Sequence, residues 1–96
     1  MQISEFQRLI ESQYFERDSR RGLGGTFMWF MEEVGELSTA LRSGSKEELK
    51  AEFADVFAWL CTLGSLSEVE MDEVVQKYAK GCPRCKATPC HCPEKA

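Results

Sequence analysis

Phe27-Met28-Trp29-Phe30-Met31-Glu32-Glu33-Val34-Gly35-Glu36-Leu37 is the stretch on which the fold turns. Phe27, Phe30, Met31, Val34, Leu37 and then Leu41 recur at helical rather than strand period, as the buried stripe of an amphipathic helix does. Glu33 and Glu36 are three residues apart and so share one flank of that stripe. A second stretch, Glu52-Phe53-Ala54-Asp55-Val56-Phe57-Ala58-Trp59-Leu60, repeats the device. Leu49, Phe53, Val56, Leu60 and Leu63 form its stripe, and Glu52, Asp55 and Trp59 share a flank. Two such helices packed together bring four or five carboxylates face to face. Like charges at that separation cannot all stay ionised unaided. A divalent cation relieves them, and hard oxygen ligands suit magnesium or manganese.

A merely solvated acidic face is the competing reading, since charged residues are mostly exposed. It loses ground on three counts. The acidic pairing occurs on both helices, both pairs border the apolar stripe, and Glu32, Glu33 and Glu36 mostly lack basic partners within a turn. A di-iron bundle would need Glu-x-x-His pairs, and the one histidine, His91, lies in the tail.

Around these two helices the pattern stays helical. Ser4 and Gln7 predict a capped helix over 4–20, with Phe6, Leu9 and Ile10 inward. Asp18 to Gly25 reads as a basic, glycine-rich loop, with Arg20 and Arg21 either solvated or reaching toward phosphates. The helix carrying Glu33 starts near Thr26 and ends near Gly44. The next starts at Ser45, with Glu48 completing a capping box, and stops at Gly64. A last helix runs from Ser67 to Gly81, with Met71, Val74, Val75 and Tyr78 inward.

The expected class is therefore all-α, divided into a helical domain over residues 1–80 and a Cys-rich tail over 81–96. A chain of 96 residues buries a modest share of its surface. One hairpin of two long helices is half of a four-helix bundle. An antiparallel bundle completed by homo-oligomerisation follows, as a homodimer or a tetramer built from dimers.

Sixteen acids against twelve bases argue against a general nucleic-acid binder. No apolar run is long enough for a membrane span, and the first residues lack a signal-peptide pattern, so the cytoplasm is the expected location. In a reducing compartment, clustered cysteines point to metal more than to disulfides. Cys82, Cys85, Cys90 and Cys92 supply the four sulfurs of a closed structural zinc site, with His91 as an alternative ligand to a flanking cysteine. The competing reading is a reduced tail without metal.

The two-part motif, Glu-Glu-x-x-Glu over 32–36 and Glu-x-x-Asp over 52–55, resembles that of the MazG-type nucleoside triphosphate pyrophosphohydrolases. The likeness covers about residues 4–80. It implies an all-α magnesium enzyme that splits (deoxy)nucleoside triphosphates into monophosphate and pyrophosphate, in nucleotide-pool house-cleaning. It implies that Glu33, Glu36, Glu52 and Asp55 hold the metal. It also implies that Glu32 either lies behind the metal ligands or, with Glu33, serves water activation, and that Lys77 touches the phosphates. The family's Asn and Arg beyond that lysine are missing from Tyr78-Ala79-Lys80-Gly81-Cys82, leaving Lys80 and Arg84 as replacements. Trp59, and Trp29 near the other acidic flank, are the candidates for stacking on the base. The rival reading is a non-catalytic helical dimer whose zinc-binding tail makes it an adaptor. A deoxynucleotide-specific enzyme is a narrower variant of the first.

Overall fold

A computed structural model describes residues 1–94; the final two positions of the predicted tail lie outside the described residues. No strand occurs among the described residues. Three α-helices follow in order, α1 (Ile3–Ser43), α2 (Lys46–Leu66) and α3 (Met71–Val74), and a 3-10 turn, Val75–Tyr78, extends the last. α2 packs along α1, and α3 docks back onto it.

The predicted glycine-rich loop is not formed. α1 continues through it, and only Gly22 leaves helical geometry, at φ 83° and ψ 170°. That corner of backbone space is nearly confined to glycine. One residue therefore bends the helix into two arms, while Gly24 and Gly25 stay helical. The second arm carries Glu33 and Glu36.

The first helix begins earlier than predicted. The Gln2 N–H donates to Glu5 Oε1 at 3.2 Å. Gln7 is no capping residue: its side chain is fully buried. Gln7 Nε2 donates to Ser65 Oγ at 3.1 Å and to the Val69 carbonyl at 3.0 Å, while Oε1 accepts the Met71 N–H at 2.9 Å. One amide thus pins the start of α1 to the end of α2 and the start of α3. Gln7→Leu leaves a buried N–H and a carbonyl without partners. Urea unfolding is expected to register a loss of about 2–3 kcal/mol; an unchanged midpoint would contradict the clamp.

α2 starts as predicted, with Ser45 Oγ accepting the Glu48 N–H at 3.2 Å. It passes beyond Gly64 to Leu66. Gly64 is a site of close approach rather than a stop, for an added Cβ would lie 2.8 Å from Met71 Sδ and 3.1 Å from the Val69 carbonyl. The last helix is much shorter than the predicted span of 67–81. Ser67 and Glu68 are spent closing α2: the Ser67 N–H reaches the Leu63 and Gly64 carbonyls, and Glu68 turns left-handed at φ 57°. A new helix forms only past Glu70.

Buried apolar side chains among the described residues are Ile10, Ala40, Cys61 and Met71, and of these Cys61 alone is fully covered. The predicted stripes are covered unevenly: Phe30, Val34, Leu37, Leu49, Val56 and Leu63 are largely covered, and their neighbours are not. Phe27, Met28, Trp29, Met31, Leu41, Phe53, Phe57 and Leu60 each leave at least 40% of their surface exposed. Val74, Val75 and Tyr78, expected inside, are exposed as well. Two long helices and one short turn of a third cannot enclose both stripes within one chain.

Candidate active site

The second arm of α1 and the middle of α2 bring three of the four predicted metal ligands together. Glu33, Glu36 and Glu52 each offer a carboxylate oxygen within 4.8 Å of the others. Asp55, one turn along α2, lies outside that trio but near enough for its charge to act on Glu33. Glu32 is exposed and also stands outside the trio.

Burial pushes the Glu33 carboxyl up from 4.5 to about 7, helped by a hydrogen bond with Glu36 and by the charges of Glu36, Asp55 and Glu52. Glu52 is raised by the same causes: loss of water first, then the neighbouring Glu36 and Asp55. Oε2 of Glu33 and Oε2 of Glu52 are buried and have no hydrogen-bond partner. Orphaned carboxylate oxygens that face other carboxylates are costly. They suit a hard divalent cation, and among the described residues no lysine or arginine is ion-paired with any of the four acids.

Asp55 also lines a cavity of about 480 Å³ between the first arm of α1 and α2. Phe6, Ile10, Tyr14, Arg17, Asp18 and Arg21 form one wall, and Asp55, Ala58, Trp59 and Thr62 belong to the other. Trp59 is half-buried there. Trp29 stacks on it, with ring centroids 6.4 Å apart and planes 14° from parallel. Arg21 lies over the same indole, 5.0 Å from its centroid. The two tryptophans thus come together, beside the acidic cluster. Lys77 does not line this cavity; it is exposed on the 3-10 turn, 6.0 Å from the Tyr78 ring.

Arg21 is the residue that the sequence reading undervalued. It is no solvated turn residue. Nη1 pairs with the carboxylate of Asp18 at 2.9 Å and donates to the buried Thr26 hydroxyl at 3.4 Å. Asp18 is only 4% exposed. The i, i+3 spacing of Asp18 and Arg21 was a usable signal, but the predicted loop concealed it.

The tail places the sulfurs of Cys82, Cys85, Cys90 and Cys92 within 4.8 Å of one another, a second group able to hold a metal ion. His91 is not part of it; its main-chain N–H donates to Cys85 Sγ at 3.3 Å.

The family model of the MazG nucleotide pyrophosphohydrolase domain matches residues 24–86. The chain belongs to this family. The match includes both acidic segments, and membership makes the domain one of a nucleotide-hydrolysing, metal-using group. Its N-terminal limit falls just after the kink at Gly22, so the arm carrying Arg17, Asp18 and Arg21 lies outside the MazG match. Its C-terminal limit falls between Cys85 and Cys90. No curated protein matches the chain. Among the described residues, no helix is long and apolar enough to cross a membrane.

Proposed function

We propose that the protein hydrolyses (deoxy)nucleoside triphosphates between the α and β phosphates, giving a monophosphate and pyrophosphate, in the service of nucleotide-pool house-cleaning. The observation that carries this reading is the trio of Glu33, Glu36 and Glu52, with two orphaned oxygens, set beside a cavity that holds an indole. Glu33, Glu36, Glu52 and Asp55 would hold magnesium or manganese. Such an ion supplies charge neutralisation for the triphosphate and lowers the pKa of a bound water.

The chain's own residues do the rest. The four acids position the phosphates only indirectly, since bare carboxylates repel them. Glu32, exposed on the same arm, orients the attacking water or takes its proton, with Glu33 as the other candidate base. Trp59 and Trp29 present flat apolar faces to the base. Lys77 would meet the phosphates from α3's extension. The thiol tail stands apart from this chemistry, since thiolates prefer softer ions than magnesium.

Assembly belongs to the same reading. The exposed apolar side chains of both long helices call for a second copy, which would complete a four-helix bundle. Light scattering at micromolar concentration is expected to give the mass of a dimer or of a tetramer built from dimers. A monomeric mass would contradict this assembly.

Incubation with each common NTP and dNTP plus magnesium, followed by pyrophosphate detection, tests the function and ranks base and sugar. Turnover of at least one nucleotide is expected. Failure with the whole panel would sink the assignment.

A further inference from the structure

The four tail cysteines gather their sulfurs within 4.8 Å of one another, as the corners of a metal site would. A tetrahedron with Zn–S bonds of ~2.3 Å has edges of ~3.8 Å. Sulfur separations are 3.8 Å for Cys82–Cys92, 3.9 Å for Cys85–Cys90 and 3.5 Å for Cys82–Cys90. A disulfide would need about 2.05 Å, and all four are free thiols. The spacing is therefore that of ligands around a common centre.

The backbone supports the same centre. Gly81 at φ 100° and Lys86 at φ 65° bracket a tight turn, closed by the Lys86 N–H to the Cys82 carbonyl at 2.8 Å and the Cys82 N–H to the Ala87 carbonyl at 3.1 Å. Main-chain N–H groups then point at sulfur: Arg84 to Cys82 at 3.4 Å, His91 to Cys85 at 3.3 Å and Cys92 to Cys90 at 3.3 Å. Such donors offset thiolate charge and orient ligands.

We infer that Cys82, Cys85, Cys90 and Cys92 bind one zinc ion in a closed tetrathiolate site. Zinc has no geometric preference of its own and accepts the tetrahedron that the chain offers. Four sulfurs leave no open position for water or substrate, so the ion is structural. It ties the loop between the two cysteine pairs into one unit. The second pair lies beyond the family match, so this site is an addition to the shared helical domain. It does not rest on the proposed hydrolysis.

The test is metal analysis of the full chain, purified after growth in zinc-supplemented medium. About one zinc per chain is expected. Cys82→Ser and Cys90→Ser should lose it, whereas Glu36→Gln should keep it, which separates this site from the acidic one. Cobalt exchanged into the wild-type chain should give the intense visible bands of a tetrahedral thiolate complex. That reading remains decisive even where a cysteine variant folds poorly. Fewer than one zinc per two chains, iron in its place, or colourless cobalt protein would overturn the inference.

Discussion

Glu36→Gln and Glu52→Gln are each expected to lower nucleotide cleavage about 10³-fold, the scale on which one preorganised charge partner acts. Glutamine keeps the shape and removes the charge. The two residues stand on different helices, and each offers an oxygen within 4.8 Å of the other and of Glu33. Among the described residues neither has a lysine or arginine ion pair to lose, so folding should be spared. The metal-free protein should even gain stability, because each substitution removes one of several repelling charges. Circular dichroism and thermal melting would check that gain beside the activity assay. Unchanged turnover in both variants would mean that the trio is only a crowded surface.

The second large effect is a pH dependence set by Glu33. Its carboxyl lies at about 7 in the fold against an ordinary 4.5, chiefly because burial strips its water. Between those values the folded chain holds a proton that the unfolded chain has released. Its stabilising contribution is therefore complete below 4.5 and is lost as pH rises through 7. Metal-free protein should melt lower at pH 8 than at pH 5 on this account. Magnesium must displace that proton, so its affinity should climb about tenfold per pH unit up to 7 and then level off. Thermal shift against magnesium concentration, repeated across that range, reads both trends at once. Glu33→Gln should flatten the slope. A magnesium response independent of pH would contradict the shared cluster.

The helical class and the acidic pairs were legible because both are local. The i, i+3 spacing places two side chains on one flank wherever the helix goes, and two apolar stripes say which flanks meet. What the sequence hid depends on contacts between distant residues. Gln7 looked like a cap because its neighbours favoured one, yet its partners are Ser65, Val69 and Met71. Three glycines looked like a loop, but only Gly22 takes a conformation that needs one. A loop over 18–25 would take Asp18 and Arg21 off the helix, where Asp18 holds the guanidinium that lies over Trp59. The shortening of the last helix has the same origin, since Ser67 is committed to ending α2.

The exposed stripes show a different limit. Helical periodicity identifies a face that must be covered, but does not say by which chain. Phe27 and Phe53 read as core and are half exposed in the single chain, at 50% and 53%. The cavity beside Asp55 is likewise walled partly by an arm outside the family match.

The most direct measurement of the central claim is phosphorus NMR of a nucleoside triphosphate incubated with the protein, with magnesium and then with excess chelator. Monophosphate and pyrophosphate should appear with the metal and vanish without it. Diphosphate with orthophosphate, or an unaltered triphosphate, would contradict the account.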